Sequence, residues 1–126
     1  METRASLINE FYRAVASPGS ETQRARSAYQ CLIRIGTASG FRSAFENDYA
    51  LHGMREVASE GTDHAVAALT IYGIIASGWY PTVTAATLLA EMGTPAAFAG
   101  LDEMAKKIRD QGLRREIVRI RDPANT

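Results

Sequence analysis

The stretch Ala65–Ala90, AVAALTIYGIIASGWYPTVTAATLLA, carries no charged side chain over 26 positions. A segment this apolar must be removed from water, either in a membrane or in a protein core. Gly73, Gly78 and Pro81 interrupt it, and the part before Pro81 is shorter than the roughly 20 apolar residues that a membrane-spanning helix requires. The stretch therefore predicts a buried helical hairpin at the centre of a globular fold, and no membrane partner.

Capping residues mark the expected ends of the two arms of this hairpin. Thr62 or Asp63 is a favourable N-cap for the first arm, and Gly78-Trp79-Tyr80-Pro81 is typical of a turn. Thr82 or Thr84 is then the expected N-cap of the second arm. We expect the hairpin to be the least exposed part of the molecule.

Upstream of the hairpin, apolar residues recur at helical spacing. Ser6–Ala16 predicts a first helix, which Ser17-Pro18-Gly19-Ser20 ends. Ser20 is a good N-cap for a second helix that is expected to run as far as Gly36. Cys31–Ile35 within it is ambiguous, because its β-branched residues also fit a short strand.

An aromatic residue recurs every four positions between the second helix and the hairpin. Phe41, Phe45 and Tyr49 would share one face of a helix over Ser39–Ser59. The favoured interpretation is a stripe that faces the core. The alternative is a partner groove or a stacking platform for single-stranded nucleic acid, which requires a basic surround that the acidic neighbours do not provide.

Downstream of the hairpin, Thr94 and Pro95 predict the start of a helix that closes at Gly112, with Gly100 dividing it. The alternating β-branched residues of Arg115–Arg121 predict a short C-terminal β-strand. That strand would pair with Cys31–Ile35 or with a second subunit. The predicted fold class is thus all-α or nearly so, a compact bundle of five to six helices with a short C-terminal β-strand.

Composition places the chain among ordinary soluble proteins. Its 126 residues, 46% of them hydrophobic, predict one helical domain over residues 1–126. The single cysteine, Cys31, excludes an intramolecular disulfide, and Met1–Leu7 lacks the apolar run of a secretory signal, so we expect a cytoplasmic protein. The net charge of zero provides no general attraction to nucleic acid or to anionic membranes.

A search for catalytic and metal-binding patterns finds one cluster. Asp48, His52 and Glu56 lie at i, i+4 and i+8 and would share a helix face, but no second ligand-bearing element is apparent opposite them. We interpret the cluster as a solvated face and expect no metal and no cofactor. The two histidines, His52 and His64, lie in no nucleophile motif, so we predict no enzyme activity.

The C-terminal third carries one resemblance to a known family. A helix ending at Leu88–Gly93, a second helix from Thr94, and then Ile117–Ile120 as a strand resemble the element order of winged-helix DNA-binding domains. This resemblance implies a transcriptional regulator. Gly100 interrupts the would-be recognition helix, and a single strand leaves the two-stranded wing incomplete. We therefore keep DNA binding as the alternative function and disfavour it.

The preferred function is a non-enzymatic protein-binding module, chosen because no reaction site is visible. The chain has twelve arginines and two lysines, a bias typical of GC-rich bacterial, phage or plasmid genomes. An inhibitor, immunity or adaptor protein that acts on a larger bacterial complex fits this profile. Arginine is enriched at binding hot spots, and the predicted partner-binding residues are Arg24, Arg26, Arg34, Arg42, Arg115, Arg119 and Arg121. Strand pairing between subunits would also allow a homodimer.

Overall fold

The computed structural model describes residues 3–76 and 78–125, which form seven α-helices and no strand. The helices are α1 (Arg4–Ala16), α2 (Glu21–Ala38), α3 (Glu46–Ala58), α4 (Asp63–Ile75), α5 (Trp79–Met92), α6 (Pro95–Lys107) and α7 (Gln111–Arg121), followed by the 3₁₀ turn Pro123–Asn125. The all-α prediction is confirmed. The predicted count of five to six helices and the C-terminal strand are wrong.

The segment predicted as the C-terminal strand is helix α7. Its apolar residues Leu113, Ile117 and Ile120 are spaced by four and three positions, which places them on one side of a helix against the core. Asp110 caps the helix by accepting a hydrogen bond from the Leu113 amide at 2.7 Å. The periodicity of these residues outweighs their β propensity, because tertiary burial overrides local preference.

Cys31–Ile35 is also helical, as part of α2, so neither the predicted strand nor its predicted intramolecular partner is present in the described residues. Gly36 does not end this helix, because it lies buried where α2 crosses α3. A Cβ at Gly36 would overlap the carbonyl oxygen of Tyr49, and one at Gly53 of α3 would overlap the carbonyl oxygen of Leu32. The two glycines allow the α2 and α3 backbones to pack in direct contact.

The central hairpin is confirmed as helical, with α4 as the helix around which the others pack. Thr62 caps α4 by accepting a hydrogen bond from the Ala65 amide at 3.1 Å. α4 contacts α1, α2, α3, α5 and α6. It buries most of its side chains, including Leu69, Tyr72 and Ile75.

Helix α5 begins earlier than predicted. α5 begins at Trp79 with Gly78 as its N-cap. Pro81 lies in the first turn, where a backbone amide has no acceptor within the helix, so the amide hydrogen that proline lacks costs no hydrogen bond. Thr82 therefore does not cap α5. It is buried and donates a hydrogen bond of 2.6 Å to the carbonyl oxygen of Gly73, one of the last carbonyls of α4.

The predicted aromatic stripe does not form, because α3 begins at Glu46 rather than Ser39. Phe41 lies in the preceding loop and Phe45 is the exposed N-cap residue of α3. The loop is held by Ser43, whose amide donates to the Tyr49 hydroxyl and whose carbonyl accepts from it, each at 3.0 Å. These local hydrogen bonds compete with the helix that the four-residue spacing predicts.

Helix α6 begins as predicted, with Thr94 as N-cap and Pro95 in its first turn. Gly100 does not divide it, because this glycine lies against Thr70 of α4, whose hydroxyl a Cβ would overlap. The helix ends at Lys107 and not at Gly112. A separate α7 follows the helix break, so the helix-then-strand order of the winged-helix resemblance is not present.

Candidate functional site

Several of the predicted partner-binding arginines are engaged within the fold. Arg24 is half-buried, and both its Nε, at 2.9 Å, and its Nη2 donate to the carbonyl oxygen of Val15 near the end of α1. Arg34 forms an ion pair of 2.9 Å with Glu10, also on α1. These two side chains join α2 to α1.

Arg121, at the end of α7, also joins two helices. Arg121 forms ion pairs with Asp102 of α6 at 2.6 Å and with Asp122 at 3.1 Å, and its guanidinium lies 5.4 Å from the centre of the Phe98 ring. Arg119 pairs with Glu116 on the same helix. Arg121 thus fastens α7 to α6.

Arg26, Arg42 and Arg115 are exposed. None of the three forms an ion pair within the described part of the chain, and Arg42 donates only to the carbonyl oxygen of Phe41, at 3.3 Å. Arg26 lies on α2, which packs on α1, α3 and α4, and Arg115 lies on α7, which packs on α5 and α6. The predicted arginine set is divided between these two regions.

Arg114, which the sequence analysis did not single out, matches Arg24 in position and contact. Each is the fourth residue of its helix and donates to a carbonyl at the end of the preceding helix. Arg114 reaches the carbonyl oxygen of Ile108 through Nη2 at 2.6 Å and through Nε at 3.1 Å. Such contacts satisfy carbonyls that a helix end leaves without partners.

The cluster around His52 is used in intramolecular contacts. Asp48 accepts a hydrogen bond of 2.6 Å from Ser43, and Glu56 accepts one of 3.0 Å from Arg4. The His52 ring stacks on Phe41, with ring centres 4.6 Å apart and planes 9° from parallel. In residues 3–76 and 78–125 no group of three or more potential ligands could hold a metal ion. The absence of metal binding in solution stays a prediction.

A surface groove lies between α3 and α5, and we call it the α3–α5 groove. It is formed by three adjoining depressions of about 130, 300 and 290 Å³. The first two share Leu51 and Tyr80, and the last two share Arg55, Leu88 and Glu91. The groove is therefore continuous along both helices.

The same residues fix the direction of the two helices. Near its start, α3 contributes Asn47 to a depression that also holds Tyr80 at the start of α5. Near its end, α3 contributes Ala58 to a depression that holds Met92 at the end of α5. α3 and α5 thus run in the same direction on either side of the groove, over about 20 Å at 1.5 Å per residue.

Two large aromatic side chains stand exposed at one end of the groove. Trp79 is 55% exposed and Tyr80 is 57% exposed, although both lie in the uncharged stretch that was predicted to be buried. The inner side of α5, with Thr82, Ala85 and Leu89, faces the core. The outer side is left as an uncharged surface, which the sequence analysis missed.

Two charged residues line the groove, one from each wall. Arg55 on α3 and Glu91 on α5 both line two of the three depressions. Both side chains are exposed, and neither forms an ion pair within the described residues. The groove thus has an apolar floor and aromatic side chains at one end. Its lining includes one positively and one negatively charged side chain.

Comparisons with known proteins do not assign this site. No protein-family model, curated protein or solved structure matches the chain. The geometry of the groove is therefore the only indication of function in the described residues.

Two other depressions are larger but chemically less distinctive. One of about 470 Å³ lies beside the α6–α7 connection, where Ile74, Ile108 and Leu113 meet charged groups. Another, of about 460 Å³, lies along α7 around Val118 and Arg115. Neither has an aromatic side chain in its lining, and the N-cap residue Asp110 of the first is already engaged.

The described residues also bear on the membrane prediction. Among them, no helix is both long enough and apolar enough to cross a bilayer. The exposed apolar surface of α5 is limited to one side of a 14-residue helix.

Proposed function

We propose that this chain is a non-enzymatic protein-binding module whose contact surface is the α3–α5 groove. The observation that carries the proposal is the exposure of Trp79 and Tyr80 beside the uncharged outer side of α5. Tryptophan and tyrosine are the residues most often found at binding hot spots, together with arginine, which Arg55 supplies at the rim.

The shape of the groove favours a protein ligand. Its walls are two parallel helices about 20 Å long, which suits a helix that places its apolar side between them. An adaptor, an immunity protein or an inhibitor of a larger bacterial complex, of the kind that phages and plasmids encode, would act in this way. Its single, buried Cys31 supports a cytoplasmic location.

The arginines have a smaller part in this proposal than in the sequence-based one. Arg24, Arg34 and Arg121 hold helices together, and their replacement would first affect stability. Arg26, Arg42 and Arg115 remain candidates for partner contacts outside the groove, because all three are exposed and form no ion pair in the described structure.

Affinity capture from the native host with two matched arginine insertions tests the proposal. Thr87→Arg places a large cation in the groove, and Ala67→Arg places the same side chain on an exposed position of α4. We expect Thr87→Arg to lose a partner that the parent and Ala67→Arg both retain. Loss with Arg26→Ala or Arg115→Ala, and not with Thr87→Arg, would move the binding site to the arginines.

DNA binding ranks second, because the winged-helix resemblance depended on a C-terminal strand, and that segment forms helix α7 in the structure. We expect duplex binding only in the weak non-specific range, about 10⁻⁴ to 10⁻⁶ M at physiological salt. Fluorescence anisotropy with the upstream region of the protein's own coding sequence measures this. Salt-sensitive nanomolar binding that is lost on changing Lys106, Lys107 and Arg109 to alanine would instead support a regulator.

A further inference from the structure

We propose that a pocket at one end of the α3–α5 groove binds a neutral aromatic ring with a hydroxyl group, and that this ring is a tyrosine side chain of the partner protein. The pocket, here named the Tyr72 pocket, is the depression of about 130 Å³ that Tyr72 of α4 lines together with residues of α2, α3 and α5. The inference rests on the proposed function, because the partner supplies the ring.

The hydroxyl group of Tyr72 is the first observation. Tyr72 is only 2% exposed, and its ring makes an edge-on contact with Phe11 of α1, with ring centres 5.8 Å apart. Its hydroxyl forms no hydrogen bond with any described residue, although Tyr72 lines the pocket. A buried hydroxyl without a partner costs free energy, so each such group in a native structure calls for an explanation. A ligand in the pocket would supply the partner.

The other polar groups of the pocket are neutral. The Tyr29 hydroxyl on α2 donates a hydrogen bond of 2.6 Å to the side-chain oxygen of Asn47 on α3, which fixes both side chains beside the pocket. All the residues that line the pocket are uncharged, so a charged group would lose its hydration there without gaining a counterion. The pocket therefore suits a neutral ligand.

The size of the pocket matches one aromatic ring. An apolar cavity of about 150 Å³ is large enough to bind benzene, and the Tyr72 pocket has about 130 Å³. Tyr29, Tyr80 and Met54 contribute aromatic rings and a sulfur atom to its lining, which favour an aromatic ligand over an aliphatic one. Tyrosine carries a single neutral six-membered ring with a hydroxyl at its tip, so it fits both the volume and the Tyr72 hydroxyl.

The position of the pocket allows a bound protein to reach it. Leu51 and Tyr80 line both the Tyr72 pocket and the next depression of the groove. A helix that lies in the groove can therefore insert one side chain into the pocket. Such an anchor in a desolvated pocket is typical of a binding hot spot.

The experiment is an NMR titration of the full chain with p-cresol, which is the tyrosine side chain without its backbone. We expect p-cresol to shift the amide signals of the pocket residues with a Kd of about 1 mM, a realistic affinity for a ligand of this size. Toluene is more hydrophobic but has no hydroxyl, so it should bind the parent more weakly than p-cresol. The charged analogues p-toluate and p-methylbenzylamine should not bind in this range.

Tyr72→Phe removes the hydroxyl and keeps the ring. It should lower the affinity for p-cresol about tenfold, the value of one hydrogen bond, and leave toluene binding unchanged, so that the preference for p-cresol is lost. Tyr12→Phe is the matched control, because the Tyr12 hydroxyl is also buried without a partner but Tyr12 does not line the pocket. This variant should bind p-cresol like the parent. Thermal melts establish that both variants are folded.

Three results of the titration would each overturn the inference: no saturable binding of p-cresol to the parent, equal or tighter binding of toluene, or an unchanged affinity for p-cresol in Tyr72→Phe. The source of the ring is tested by capture from the native host. Tyr72→Phe should reduce recovery of the partner, and Tyr12→Phe should not.

The capture experiment also separates this inference from the proposed function. If Thr87→Arg loses the partner and Tyr72→Phe does not, the proposed function stands and the inference of a partner tyrosine is wrong. If p-cresol binds as expected but capture is insensitive to Thr87→Arg, the proposed function fails, and with it the partner as the source of the ring.

Discussion

Helices α4 and α5 come from the same uncharged stretch, yet only α4 is enclosed by the fold. α4 contacts α1, α2, α3, α5 and α6, so most of its circumference is covered. α5 contacts α3, α4, α6 and α7, and its outer side, with Trp79, Tyr80 and Thr87, is left at the surface. The same lack of charge thus accompanies a buried core helix in one arm and, in the other, an exposed surface that we propose binds protein.

Leu69→Asp and Leu89→Asp test this difference with the largest expected effect. Both leucines are fully buried, Leu69 in α4 and Leu89 on the inner side of α5, so an unpaired carboxylate there should unfold the protein. Thr87→Asp, on the outer side of α5, should cost less than about 1 kcal/mol. Circular dichroism melts compare the three. Similar losses in all three variants would show that the outer side of α5 is also core.

Gly53→Ala moves the other wall of the groove. The added methyl would overlap the carbonyl oxygen of Leu32, and because backbone cannot rotate away we expect a loss at or above the top of the usual range of about 1–3 kcal/mol. Gly112→Ala is the control, because its methyl meets only the Asp110 side chain, at 3.3 Å. Urea unfolding gives both values. A neutral Gly53→Ala would mean that α2 and α3 are not held in direct backbone contact.

Thr82→Val breaks the hydrogen bond that joins the two arms of the hairpin. Its hydroxyl satisfies the Gly73 carbonyl at the end of α4, and removal leaves a buried acceptor without this donor, at a cost of about 1–3 kcal/mol. Thr87→Val removes an exposed bond to the Val83 carbonyl and should have little effect. Equal unfolding free energies for the two variants would contradict the role of Thr82.

A smaller effect is expected in the loss of stability at alkaline pH, and it depends on one residue of α4, Tyr72. Burial raises the pKa of Tyr72 far above its usual range. Because the folded state favours the neutral phenol, this stability is complete below about pH 10, where tyrosine ionises in the unfolded chain, and is lost as pH rises further. Between pH 8 and 11.5, the melting temperature should fall less steeply with pH in Tyr72→Phe than in the parent, because phenylalanine cannot ionise. Parallel declines would contradict burial of this hydroxyl.

The sequence was sufficient to predict the all-α class, the central hairpin and several helix ends. Thr62, Thr94 and Ser20 act as the predicted N-caps, because capping depends on residues adjacent in the chain. The helix α7 was mistaken for a strand because Ile117, Val118 and Ile120 have β propensity. The spacing of Leu113, Ile117 and Ile120 already carried the helical signal.

The candidate site was largely missed, since it depends on neighbours that are distant in sequence. Trp79 and Tyr80 follow a glycine inside an uncharged stretch, a pattern that is typical of a turn. Whether the outer side of α5 is covered depends on the position of α3. Gly36 and Gly53 set that position, because they allow α2 and α3 to pack in direct backbone contact. No local pattern in α5 contains that information. For the same reason, local patterns do not reveal that Arg24 is hydrogen-bonded to α1 or that Arg34 forms an ion pair with it.

The central claim, that α5 binds protein while α4 supports the fold, is tested most directly by photo-crosslinking in the native host. A photoreactive side chain is placed either at Thr87 on α5 or at Ala67 on α4, both exposed positions of the uncharged stretch. We predict a discrete protein adduct from position 87, greatly reduced by Trp79→Ala, and little or none from position 67. Equal adduct yields from the two positions, or adducts from position 67 alone, would contradict the account.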